Sequence, residues 1–267
     1  PRRERLMDEL PQSGSGRTIM TTQPKFVPGE AVTISLGEQM PVRVRMVDSV
    51  GYLVEGVLGT DEDGATRMVH TPWFDHDIPF EEAAEIGTRK VIADHATIGL
   101  VVTTDGSICD IPRTAYVDAE ERVVGELRQL GKPFVVVLNS RHPQQKETLE
   151  LKDELQQRYA VPVLSMNVKE MAGDDIHRIF EEMLYQFPLR EISVHAPVWL
   201  NALDENHWLI RHVLESLRCG AEQAHCMRDH QQFAATFQDS EYSDGLRSDG
   251  VELGAGRLRY TLPLKEN

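Results

Sequence analysis

The chain is short of cysteine, of positive charge and of long apolar runs, and each shortage narrows what it can be. Its three cysteines, Cys109, Cys219 and Cys226, are an odd number without Cys-x-x-Cys spacing. That usage suits a reducing cytoplasm rather than a disulfide framework. Cys219, His225 and Cys226 do not match common zinc spacings and read as structural or incidental. No apolar stretch approaches the roughly 18–20 residues that cross a bilayer, and no signal-peptide pattern is present. With 28 Lys and Arg against 43 Asp and Glu, the net charge of −15 argues against non-specific nucleic-acid binding.

What is present is ordinary for a globular protein: 40% hydrophobic and 27% charged residues over 267 positions. That length holds one α/β domain of about 190 residues and the start of another. The negative charge is partly localised. Residues 61–95 carry nine acidic side chains against Arg67, Arg89 and Lys90. A solvated loop and helix face accounts for this; the sharper alternative is a surface that pairs with a basic patch on another copy.

Strand and helix patterns alternate along the first 188 residues. Ala31–Leu36 and Val42–Val47 read as paired strands joined through Gly37 and Glu38. Gly51 to Asp77 has no clear periodicity, which makes it long for a structureless loop and marks it as mobile or functional. A helix is expected from Pro79 to about His95, then a strand over 97–103 and a helix from Tyr116 to Leu130. The all-apolar run Phe134–Leu138 is too short for a helix and reads as a strand buried on both faces. Helices from about Gln144 to Tyr159 and from Asp174 to Phe187 flank a short strand over 162–166. This alternation predicts a mostly parallel sheet with helices on both faces. From residue 189 to 267 the pattern changes: a strand over 192–198, a helix from Trp199 to about Cys219, polar residues 220–250, and a hairpin from 251 to 262. It reads as the start of a second, truncated α+β domain.

In such sheets ligands bind at the carboxyl ends of the strands, and Asp48, Thr104–Asp105, Asn139 and Ser165 all fall there. Four polar strand ends are expected to converge on one edge. Asp48 stands where P-loop NTPases hold Mg²⁺, and Gly51, three residues on, can present its N–H to a terminal phosphate. Asp-x-x-Gly is a weak motif alone, because many strands end in such turns. Upstream, Thr21 and Thr22 close a glycine-punctuated segment, Gly14 to Thr22, in the place where switch-type NTPases carry a metal-coordinating threonine. An ordinary exposed loop reads the same way. Asn139-Ser140-Arg141-His142 lies where guanine-specific GTPases carry Asn-Lys-x-Asp. The Lys and the Asp that reads guanine are both missing, so adenine is the better fit. No Gly-x-x-x-x-Gly-Lys-Ser/Thr occurs in these residues. The chain reads as cut at both ends, with the phosphate loop and its strand expected upstream of Pro1.

Taken together, these residues resemble the stage IV sporulation protein A family of spore-coat morphogenetic ATPases, a translation-factor-type P-loop class. The runs that carry the resemblance are Asp8 to Ser13, Thr18 to Pro28, Val47 to Tyr52, Thr71-Pro72-Trp73, Ile78 to Phe80, Glu85 to Ile92, Thr103 to Gly106, and Glu205-Asn206-His207-Trp208-Leu209. The resemblance implies that guanine specificity has been lost and that ATP hydrolysis, with Mg²⁺, drives irreversible polymerisation into the basement layer of the spore coat. It implies a location in the mother-cell cytoplasm at the outer forespore membrane, where a small amphipathic membrane peptide recruits the protein and other coat proteins assemble. Thr21 and Thr22 then become switch or sensor threonines, Asp48 the Mg²⁺-organising acid, Gly51 a γ-phosphate contact, and Asn139 and Ser165 nucleotide-binding residues. Position 52 is Tyr52, where several GTPases place a water-orienting Gln or His, so slow turnover is expected. Arg17 reads either as a charge-stabilising finger or as an exposed structural arginine. Two other readings stay open: a coat scaffold with a vestigial nucleotide site, and a GTP-dependent regulatory switch.

Overall fold

The computed structural model describes residues 25–265, apart from 37–39, 58–59, 63–64, 72–73 and 239. Two compact units meet in sequence between Phe180 and Glu181, inside a helix.

The first unit opens with β1 (Lys25–Leu36) and β2 (Met40–Asp48), an antiparallel ladder that runs from Lys25 opposite Asp48 to Leu36 opposite Met40. The ladder is longer than the sequence pattern indicates. Its register shifts between Val27 and Val32, where Pro28 has no N–H to donate and Gly29 packs no side chain. The segment from Gly51 to Asp77, without clear periodicity in the sequence, contributes to two short ladders. They are β3 (Asp61–Glu62) with β4 (Ala65–Thr66), and β5 (Met68–Val69) with β6 (Ile78–Pro79).

Helix α1 (Phe80–Lys90) follows, with Glu81 and Glu82 in its first turn and Arg89 and Lys90 in its last, each favourable to the helix dipole. Phe80, Ala83, Ala84, Gly87 and Thr88 form its buried stripe. It continues to His95 as a π-helical turn, Val91–His95.

The parallel sheet consists of β7 (Gly99–Thr104), β8 (Phe134–Asn139) and β9 (Val163–Met166), in that order. Helices α2 (Val117–Gln129) and α3 (Lys146–Tyr159) make the crossovers, and α4 (Gly173–Tyr185) follows β9. One sheet face, Val101, Phe134, Val136, Leu138 and Val163, packs on Ile92, Val124, Leu127, Leu155 and Tyr159. Val135 and Val137 on the opposite face of β8 are also fully buried, as the all-apolar run requires. Leu100 and Val102 on β7 are 41% and 57% exposed, and among the described residues no strand pairs with the outer edge of β7.

In the second unit β10 (Glu191–His195) pairs in parallel with β12 (Arg257–Thr261), which pairs antiparallel with β11 (Arg247–Glu252). Helix α5 (Trp208–Gln223) starts at Trp208, not at Trp199 as its apolar pattern suggests. The Asn206 amide donates to Asp204 Oδ1 at 2.8 Å, and the Leu209 amide donates to His207 Nδ1 at 3.3 Å, so a polar turn and an imidazole cap fix the helix start. Residues Val198–Ala202 instead form a 3₁₀ turn. The polar stretch also hides α6 (His230–Ala235), anchored by buried Phe233 and preceded by a turn that Cys226 and Asp229 cap reciprocally. Leu200, Leu209, Val213, Phe237 and Leu262 form one buried core cluster of this unit.

Candidate functional site

Register places Thr104 opposite Asn139 and Asn139 opposite Met166, so the ends of β7, β8 and β9 form one edge. Asp105, just past β7, ties this edge together. Its Oδ1 accepts from the Ser107 amide at 2.9 Å and the Ser107 hydroxyl at 2.6 Å, and its Oδ2 accepts from Thr148 Oγ1 at 3.1 Å. Burial pushes the Asp105 carboxyl up, but the hydrogen bonds from Ser107, Ser140 and Thr148 outweigh it and hold the group below its ordinary range. The Arg141 amide donates to Ser107 Oγ at 3.0 Å, and an Arg141 guanidinium nitrogen donates to the Ile108 carbonyl at 3.1 Å. The loops after β7 and β8 are thus one hydrogen-bonded body. Gly106 is needed there: its φ is +90°, and an added Cβ would stand 2.9 Å from the Arg113 backbone nitrogen.

Asn139 ends β8 with its Oδ1 accepting from the Val168 amide at 3.0 Å. The acceptor half of the amide is fixed to the loop after β9, and its donor half makes no hydrogen bond among the described residues. Ser140, in the place of the base-packing Lys, is fully buried and accepts from the His142 amide at 2.9 Å. Its side chain serves the loop. His142, in the place of the guanine-reading Asp, is exposed. Ser165 lies within β9 opposite Leu138 and is half-buried.

Asp48 ends β2, whose ladder with β1 is separate from the parallel sheet among the described residues, so the backbone pairing joins Thr104, Asn139 and the end of β9, with Ser165 one residue short of it, but does not include Asp48. The residue is exposed. Gly51 has φ +82°; its amide donates to Thr88 Oγ1 at 3.0 Å, and Thr88 Oγ1 donates back to the Gly51 carbonyl at 3.2 Å. Tyr52 is buried, with the Arg122 guanidinium 4.3 Å over its ring and Arg122 paired to both oxygens of Glu85. Burial, then the neighbouring Glu126 carboxylate, raises the Tyr52 phenol well above its ordinary value, so it keeps its proton. Thr21, Thr22, Arg17 and the glycines at 14 and 16 lie outside the described residues.

Sequence reasoning missed Thr88, Ser107 and Thr148. The available signals were a hydroxyl on the apolar stripe of α1 and an Asp-Gly-Ser turn directly after a buried strand.

Among the described residues no group of three or more His, Cys, Asp and Glu could hold a metal ion. Mg²⁺ dehydrates reluctantly and takes one or two carboxylates together with substrate phosphates. An exposed hard oxygen donor at a strand end, Asp48, fits that requirement.

A three-stranded parallel sheet flanked by helices, with polar loops joined at its carboxyl edge, gives the first unit an α/β architecture consistent with a P-loop-like nucleotide-binding fold. The chain belongs to the stage IV sporulation protein A family. Residues 1–188 match the family's ATPase domain and residues 189–267 its middle domain. It is 47% identical over 266 residues to stage IV sporulation protein A of Clostridioides difficile, covering 100% of this chain and 54% of that protein. Identity to the Bacillus subtilis and Bacillus anthracis proteins of the same name is 45% and 44% over 254 residues, 95% of this chain and 52% of each of theirs. The chain therefore spans about half the length of these curated relatives. No solved structure matches it.

Proposed function

We propose that this chain forms the base-reading, metal-organising and γ-phosphate-sensing part of a slow ATPase whose turnover drives assembly of the spore-coat basement layer. The observation that carries the reading is the Asn139 loop. Its Asn is pinned by the Val168 amide, its Ser140 is turned into the buried knot, and no acid stands at His142 to bind guanine. A purine is held there without guanine selection.

Asp48 and Thr21 or Thr22 would hold Mg²⁺, and the same threonine would report whether the γ-phosphate is present; Mg²⁺ would supply neutralisation of the charge that develops on the phosphate oxygens. The Gly51 amide contacts the γ-phosphate, and Asn139 and Ser165 border the base. Catalysis rests on positioning and electrostatics. Tyr52 is packed under Arg122 with a phenol that keeps its proton, so it supplies no general base, which supports slow turnover. The open edge of β7, with Leu100 and Val102 exposed beside it, is where a further parallel strand carrying a phosphate loop pairs.

The proposed partners are further copies of the protein, a small amphipathic membrane peptide and other coat proteins, at the outer forespore membrane on the mother-cell side. Attachment is peripheral; among the described residues no helix is long and apolar enough to cross a membrane. Full-length protein offered ATP and GTP side by side, with polymer sedimentation followed in parallel, tests the reading. ATP turnover well above GTP, coupled to assembly, is expected. Assembly without turnover favours a scaffold with a vestigial site, and preferential GTP turnover favours a regulatory switch.

A further inference from the structure

Gly51 is held twice by one side chain. Thr88 Oγ1 accepts the Gly51 amide proton at 3.0 Å and gives its own proton to the Gly51 carbonyl at 3.2 Å. A threonine inside a helix ordinarily returns its hydroxyl proton to the carbonyl one turn back. Thr88 instead spends both hydrogen-bonding functions on a loop residue 37 positions away, and it is 3% exposed, so water does not compete. The next residue, Tyr52, is clamped to α2 by Arg122, which is itself braced by Glu85 of α1. Beyond it, Leu53 to Val57 border a cleft of about 470 Å³ shared with Glu81, Thr114 and Asp118. The turn containing Gly51 is therefore tethered at its first residues and opens onto this cleft just after them.

We infer that Thr88 is a positioning residue that competes with the terminal phosphate of a nucleoside triphosphate for the Gly51 amide. This rests on the reading of Gly51 as a γ-phosphate contact and adds how that contact is regulated. An amide hydrogen cannot serve Thr88 and a phosphate oxygen with good geometry at once. Triphosphate binding must therefore break the pair, whereas a diphosphate leaves it intact. The energy needed to break it subtracts from the apparent affinity for triphosphate only. The same movement pulls on Tyr52 and so on the Arg122–Glu85 pair, carrying the event to the faces of α1 and α2.

The test compares ATP and ADP affinities of the full-length protein, by competition against a fluorescent nucleotide, for the wild type, Thr88→Val and Thr88→Ser. Valine keeps the shape and removes the hydroxyl; serine keeps the hydroxyl. ATP affinity should rise about three- to tenfold in Thr88→Val with ADP affinity unchanged, as expected for losing one net hydrogen bond from the tethered form alone. Thr88→Ser should match the wild type. ATP and ADP affinities that move together, or that do not move, in a folded Thr88→Val protein overturn the competition while nucleotide binding stands. A wild type that binds no ATP removes the underlying reading and this inference with it. If Thr88→Val does not fold, the wild-type Gly51 amide resonance decides: a shift with a non-hydrolysable ATP analogue and none with ADP supports the competition, and equal shifts overturn it.

Discussion

Asn139 Oδ1 and the Val168 amide, 3.0 Å apart, join the end of β8 to the turn after β9. The donor half of the Asn139 amide is left without a partner among the described residues, while Oδ1 keeps one further lone pair. Asn139→Asp keeps the acceptor for Val168 and removes the donor. Its fold should stay close to wild type in thermal unfolding, while ATP affinity falls by roughly tenfold or more, the order of one hydrogen bond in a polar base site. Unchanged ATP affinity would mean that Asn139 is a loop tie alone.

The Asp105 knot gives a pH signature. Its carboxyl is lowered in the folded state, so the stability it contributes is fully present above the unfolded value near 4 and is lost as pH falls through the lower folded value. Asp105→Asn should cost about 1–3 kcal/mol at neutral pH. Urea unfolding at a series of pH values should show this gap closing below about pH 4. A gap that stays constant down to pH 3 would show that the carboxylate's charge contributes nothing to the knot.

How much of this was legible depended on the kind of signal. Phe134–Leu138 announced a strand buried on both faces, because five consecutive apolar residues bounded by Pro133 and Asn139 permit little else. The crossover helices followed from their periodicity, with boundaries shifted by one or two residues. Trp199 and Trp208 show what periodicity cannot decide. Apolar spacing continues across both, and only the Asp204 turn and the His207 cap place the helix start at the second. Helix α6 was hidden because a single buried aromatic, Phe233, anchors an otherwise polar segment. In the site, the backbone ends Asn139 and Asp105 were readable as polar residues closing apolar strands. Thr88 was marked only as a hydroxyl on the apolar stripe of α1, and its partner could not be read because it lies on another element. Asp48 was legible as a strand end but not as part of a ladder separate from the parallel sheet, because strand order is set by tertiary pairing.

A buried network off this edge predicts a large stability effect. Glu120, its side chain 2% exposed, receives the Arg113 guanidinium at 2.9 Å and the Tyr159 hydroxyl at 2.6 Å. Its other oxygen has no hydrogen-bond partner among the described residues. Removing Arg113 strands a buried carboxylate, so Arg113→Ala should cost about 3 kcal/mol or more in urea unfolding. Combining it with Glu120→Gln should recover much of that loss. If the double variant is as unstable as Arg113→Ala, the guanidinium acts by packing rather than by charge.

The most direct test is the rate of phosphate release from ATP with Mg²⁺ by full-length wild type and Asp48→Ala, with thermal unfolding as a control for the fold. Removing a carboxylate that organises the metal should lower turnover by about a hundredfold or more, with the melting curve showing that the protein still folds. Turnover of Asp48→Ala at the wild-type rate would contradict the assignment of Asp48 to the metal and, with it, the proposed chemistry of this unit.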